Sequence, residues 1–202
     1  MEFEYIKGRI KLNKTLNVID RFVLDFIRIL DELKIKYVII SGYVVLLFGR
    51  PRLTEDVDMF VEQMDNEKLE SLFEALQKEY WIINASSLVT LKLLFSDNSA
   101  FRVARKNEIS PNMEVKRPKD ALGFLSFNSP IEVLVNDKYK INISPLEIQV
   151  AYKLYLGSKK DLEDARYIFD IFKKNLDKNT IRRYAKELKV YDKLYYLGDS
   201  FA

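Results

Sequence analysis

The stretch from Tyr37 to Glu62, YVIISGYVVLLFGRPRLTEDVDMFVE, restricts this chain more than any other part of it. Tyr37 to Ile40 is apolar, largely β-branched and short, the signature of a buried strand. Ser41-Gly42 then turns the chain into a short helix through Phe48 that stops at Gly49. Arg50-Pro51-Arg52 must be a loop, because proline disfavours helix at the residue before it. Asp56 to Val61 alternates polar and apolar side chains, as a half-buried strand does, so Asp56 and Asp58 share one face. Two carboxylates so close repel each other unless positive charge lies between them, and a divalent cation is the natural partner. With oxygen ligands alone it should be a hard ion, Mg²⁺ or Mn²⁺ in its place. The small-residue turn ahead of the helix points backbone N–H groups and the positive end of a helix dipole toward an anion.

Composition narrows the chemistry further. The chain has no cysteine and no histidine, which removes disulfides, thiolate nucleophiles, zinc sites built on those residues and every imidazole proton shuttle. Carboxylates, lysine, tyrosine and hydroxyls remain. A net charge of +3 is too small to make the whole chain a nucleic-acid binder, so such an argument must rest on local patches. The longest apolar run, Tyr37 to Gly49, is interrupted by Ser41 and Gly42 and falls short of the roughly 20 residues that span a bilayer. The opening MEFEYIKGR lacks the apolar core of a signal peptide, so a cytoplasmic protein without membrane association is expected.

Elsewhere the periodicity alternates between the two classes. Leu16, Ile19, Phe22, Val23, Phe26, Leu30 and Leu33 form one face of a helix, with Thr15 as the expected N-cap. Leu69, Leu72, Phe73 and Leu76 mark another helix, capped by Asp65 or Asn66, and Trp81 to Ile83 a short strand. Ser86 to Phe95 fits helix or strand, with helix favoured by the Ser-Asp-Asn-Ser cluster that follows. Phe101–Val103 and Met113–Lys116 alternate around a polar loop and are expected to pair antiparallel. Ile131–Val135 and Tyr139–Ile143 flank the hairpin turn Asn136-Asp137-Lys138. From Ser144 onward only helical signals remain, so the expected organisation is α/β (α+β). A mixed-sheet domain over residues 1–143 is followed by a helical domain over 144–202.

A small turn followed by an Asp-x-Asp strand resembles the nucleotidyltransferase superfamily, the DNA polymerase β-like fold. The wording Phe-Gly-Arg-x-Arg-x-Thr-Glu-Asp-x-Asp from Phe48 to Asp58 looks like its AbiEii-type branch, which includes toxins of toxin–antitoxin pairs. The resemblance implies that Ser41 and Gly42 hold the phosphates of an NTP and that Asp56 and Asp58 are catalytic metal ligands. It also implies a third acid on a neighbouring strand, a role that falls to Glu114. Three carboxylates would let two Mg²⁺ ions sit on one side of an in-line displacement, one activating the acceptor hydroxyl and one clamping the triphosphate, and Glu114 could also accept the hydroxyl proton. One departure is visible: the first glycine of the family turn is Ser41 here.

Lys153 and Lys160-Asp161-Leu162-Glu163-Asp164 resemble late motifs of the same branch. They imply that Lys153 contacts phosphates while Lys160, Asp161 and Asp164 shape the nucleotide or acceptor side of the cleft. Arg50, Arg52 and Thr54 are placed to hold phosphate or acceptor. The implied activity moves an NMP from an NTP to a hydroxyl. The acceptor is either RNA, as for a toxin held by an antitoxin protein, or a small hydroxyl compound; a nucleotide-binding module without catalysis is the alternative. Lys173 to Lys193 carries eight Lys or Arg against three acids, a solvated helix face or an RNA-binding one.

Overall fold

The computed structural model describes residues 2–6, 8–52, 56–198 and 201. The first long helix, α1 (Val18–Glu32), buries Phe22, Val23, Phe26, Ile27 and Leu30, the face its periodicity marks. It begins at Asn17 and not at Thr15. The Asn17 side chain accepts from the Asp20 backbone while the Asp20 carboxylate accepts from the Asn17 backbone, a reciprocal cap that satisfies two orphan N–H groups at once. Asp20 is itself buried, and it also accepts from the Tyr43 hydroxyl (2.9 Å) and Lys14 Nζ (2.9 Å).

Among the described residues nine strands form one mixed sheet. They are β1 (Glu2–Ile6), β2 (Arg9–Asn13), β3 (Tyr37–Ile40), β4 (Asp56–Val61), β5 (Tyr80–Ile82), β6 (Phe101–Arg105), β7 (Asn112–Lys116), β8 (Ile131–Val135) and β9 (Tyr139–Ile143), in the spatial order β1-β2-β8-β9-β3-β4-β7-β6-β5. The antiparallel β6–β7 pair and the β8–β9 hairpin lie where alternation places them, and Asn136 and Asp137 both take the positive φ that a tight hairpin turn needs. The β1–β2 hairpin was not anticipated; β2 runs parallel to β8, with Arg9 opposite Glu132. At the centre, β3 and β4 are antiparallel with Ile40 opposite Asp58, and β4 and β7 are parallel with Asp58 opposite Glu114. This register assembles the site described below.

The helices α2 (Gly42–Leu47), α3 (Asn66–Leu76) and α4 (Leu88–Ser96) agree with the periodicity, and Ser87 caps the segment that was open between helix and strand. Helix α5 (Ala121–Asn128) was missed because its apolar residues do not gather on one face and Phe124 and Leu125 are exposed; Asp120 caps it by accepting from Gly123 N–H at 2.7 Å. After β9 come α6 (Leu146–Leu156), α7 (Lys159–Phe172), α8 (Lys178–Glu187) and a 3₁₀ turn (Tyr191–Leu197). This helical segment shares its core with the sheet. The Phe172 ring lies 4.8 Å from the rings of both Phe48 and Phe3, which brings α7 against the end of α2 and against β1. Burying a ring of this size stabilises by about 1.5–3 kcal/mol. No helix among the described residues is long and apolar enough to cross a membrane.

Candidate nucleotidyl-transfer site

The parallel register of β4 and β7 sets Asp58 beside Glu114, while the flanking Met113 and Val115 point into the core. Lys116 follows Glu114 by two residues and so lies on the same face. Its Nζ donates to Asp58 Oδ1 at 2.7 Å and to Glu114 Oε1 at 2.8 Å, and Arg102 on β6 donates to Glu114 Oε2 at 3.0 Å. The positive charge that neighbouring acids demand is thus an ammonium of the chain itself. Burial would raise the Glu114 pKa, but Lys116 and then Arg102 outweigh it and hold the carboxyl below its usual range. Burial would lower Lys116, and Asp58 with Glu114 outweighs that, leaving it above the usual lysine value. The hydrogen bonds from Lys116 and Arg102 thus favour the charged form of Glu114.

Asp56 lies one strand pair further along, where its Oδ1 accepts from Asn112 Nδ2 at 2.5 Å. Among the described residues no three acids gather as a ligand set. Two do converge on a single positive charge, and their oxygens suit a hard cation that takes the place of the ammonium.

At the other side of β4, the turn into α2 carries Ser41 at φ 61°, ψ −130°, a conformation that costs a residue with a Cβ about 1–3 kcal/mol. Its hydroxyl makes no capping bond in return. Ser41→Gly is accordingly expected to stabilise the fold by about 1 kcal/mol after the added chain entropy of glycine, a rise of roughly 2–4 °C in thermal unfolding. An unchanged or lower melting temperature would mean that Ser41 contributes a contact that offsets its strain. Gly42 is needed for a different reason. A Cβ there would stand 3.0 Å from the Arg52 guanidinium, which packs against the turn.

Arg52 belongs to a buried ionic cluster between the loop, α6 and α7. Asp164, fully buried, accepts from Arg50, from Arg52 and from Lys153 Nζ (3.0 Å). Lys153 also donates to Asp161 Oδ1 at 2.7 Å, and Arg50 to Glu163 Oε2 at 2.7 Å. Burial lowers the Lys153 pKa, with Asp161 opposing. Burial also lowers Arg52, reinforced by the charge of Arg50. In Asp161 burial acts upward but is outweighed by the hydrogen bonds from Lys153 and Ser158, so its pKa falls. Lys153, Asp161 and Asp164, expected at phosphates or acceptor, are thus engaged with one another in this structure, and Lys160 stands exposed on the first turn of α7. Thr54 lies outside the described residues.

A cavity of about 410 Å³ opens beside Ser41, Asp58 and Lys116, and the buried ionic cluster takes no part in its lining. Arg117, Lys119 and Asp120 line it ahead of α5, which supplies Leu122 and Gly123, and α6 supplies Ile148, Gln149 and Tyr152. Its size suits a small-molecule ligand. The basic run on and around α8 contributes nothing to its lining. Two residues here escaped the sequence reading. Lys116 was signalled by its place two residues after Glu114 in Met-Glu-Val-Lys, and Gln149 by being a lone amide in the otherwise apolar Ile148–Ala151 turn of α6.

No protein-family model and no curated protein matches the sequence. Solved structures do. An antigenic nucleotidyltransferase-like protein from Paracoccidioides brasiliensis superposes with a TM-score of 0.52 at 19% identity, over 88% of this chain and 91% of that one. The fold is that of nucleotidyltransferase-like proteins. The antibiotic-resistance factor ANT(2'')-Ia, in its solution structure, gives a TM-score of 0.50 at 10% identity over 84% of this chain and 90% of that chain. At such identities the likeness concerns the nucleotidyltransferase-like fold alone, and the chemistry must be argued from the side chains.

Proposed function

We propose that this chain transfers a nucleoside monophosphate from a nucleoside triphosphate to a hydroxyl group. The observation that carries the reading is the convergence of Asp58 and Glu114 on one cationic position, the Lys116 ammonium that lines the cavity, within a nucleotidyltransferase-like fold. A Mg²⁺ or Mn²⁺ ion held by Asp58 and Glu114, with Asp56 next along β4, would neutralise triphosphate charge there. Ser41 and Gly42 border the position of the phosphates. The Arg50–Arg52–Lys153 cluster holds the loop ahead of β4 against α6 and α7. In the transfer, the acceptor oxygen bonds to the α-phosphorus as the bond from that phosphorus to the oxygen bridging to the β-phosphate breaks; the hydroxyl proton passes to solvent water and pyrophosphate departs.

The ion competes with Lys116 for the same oxygens. Two ion pairs of at least about 1 kcal/mol each, the value in bulk water, correspond to ~30-fold in affinity. Lys116→Met is therefore expected to bind Mn²⁺ or Mg²⁺ about 10- to 30-fold more tightly by calorimetric titration. Equal or weaker binding would show that the ammonium does not stand in for a metal.

The same ammonium, with Ser41 in the turn, supports a second reading in which the chain binds nucleotide without catalysis. An RNA acceptor and an antitoxin partner rest on the AbiEii-type wording of Phe48 to Asp58. One assay separates these readings: each α-labelled NTP is incubated with Mg²⁺ and either total RNA or a metabolite pool, beside Asp58→Asn. Label in an RNA band supports the toxin-like acceptor, and label in a small molecule the other. NTP binding without transfer leaves the module.

A further inference from the structure

The cavity's lining is of two kinds. Charged groups, Asp58 and Lys116 with Arg117, Lys119 and Asp120, stand with the Ser41 turn, and apolar wall comes from Ile148, Leu122 and the ring of Tyr152. Gln149, 4% exposed, belongs to the same lining, and its side-chain amide makes no hydrogen bond to another described residue. Buried polar groups are paired almost without exception. The nearby buried hydroxyls obey that rule, since Ser144 donates to Ser126 at 3.0 Å. Two lining side chains keep unused polar groups, Arg117 at its Nε and Gln149 at its amide, and of the two the amide carries a donor beside an acceptor.

We propose that Gln149 holds the edge of the nucleobase, an assignment that rests on the nucleotide-transfer reading and adds to it the part of the substrate seated against α6. The apolar walls suit a flat heteroaromatic ring, and Lys116, Arg117 and Lys119 suit its phosphates. An amide offers a donor beside an acceptor, and each of the four bases offers the complementary pair on its pairing edge, so Gln149 grips a base bidentately whichever base it is. A carboxylate offers acceptors only. Guanine alone sets two donors side by side, N1–H and the 2-amino group, so Gln149→Glu turns the ranking toward GTP regardless of the original preference.

The test is equilibrium binding of ATP, CTP, GTP, UTP and inorganic tripolyphosphate, each with Mg²⁺, to the full chain and to Gln149→Leu and Gln149→Glu. Gln149→Met, unbranched and of similar length, replaces the leucine variant if that one unfolds at lower temperature. Loss of a bidentate base contact weakens the favoured NTP about 5- to 150-fold, with tripolyphosphate affinity unchanged, and in the glutamate variant GTP gains on the other three. NTP affinities within twofold of the parent in Gln149→Leu would overturn the assignment and leave a bound water as the amide's partner. Equal weakening of tripolyphosphate would also overturn it, as general damage to the cavity. If the parent chain binds none of the four NTPs, the nucleotide-transfer reading itself falls; if it binds them but ignores Gln149, only the base assignment does.

Discussion

Asp164→Asn lowers the melting temperature by roughly 6 to 20 °C, the equivalent of about 3–5 kcal/mol in a chain of this size. The carboxylate it removes is fully buried and answers three cations, Arg50, Arg52 and Lys153. Two of them keep a second carboxylate, Glu163 for Arg50 and Asp161 for Lys153. Arg52 loses its described ion-pair partner, and its Nε is already buried without one among the described residues. The cost is the stranding of a buried charge and not the loss of an attractive pair, a distinction that a double substitution measures. Adding Arg52→Met to Asp164→Asn removes the stranded charge and recovers a large part of the loss. If the double variant is no more stable than Asp164→Asn alone, the cluster is held by something other than this balance.

Asp58→Asn acts on the chemistry instead. Transfer falls by at least about 10²–10³-fold, the scale on which one preorganised electrostatic group acts in a transition state. The fold is little disturbed, because Lys116 keeps Glu114 at 2.8 Å and is not stranded when its other partner goes. Activity lost at nearly constant melting temperature is thus the expected result. Transfer within threefold of the parent would remove Asp58 from the site, and with it the cation-centred reading of this face of the sheet.

Local patterns reveal what local forces decide. The strand, turn and short helix from Tyr37 to Phe48, the alternation of β4 and the β8–β9 hairpin each depend on neighbours a few residues away, and all are legible in the sequence. The same holds for Glu114, since alternation in β7 leaves it on the polar face once Met113 and Val115 are buried. Its position opposite Asp58 is another matter: that depends on a parallel pairing across more than fifty residues that no periodicity encodes. The ionic cluster is illegible for a related reason. Asp161 and Asp164 show a helix start, but the Asp164 partners Arg50 and Arg52 come from a loop more than a hundred residues earlier. The N-terminal hairpin did carry a signal, apolar residues at every second position around Gly8. Being short and rich in charge, it yields little evidence until β8 is known to cover its edge.

That long-range pairing has a consequence during synthesis. β2 is made near the start of the chain and its neighbour β8 ends at Val135, with Asn136 N–H closing onto the Leu12 carbonyl at 2.8 Å. At about 5–20 residues per second, the edge of β2 waits roughly 6 to 25 s on the ribosome for its partner. A two-stranded hairpin has little stability by itself, so through that interval the edge of β2 has no neighbour to cover it. These first strands gain their place in the sheet only once the β8 segment has been made.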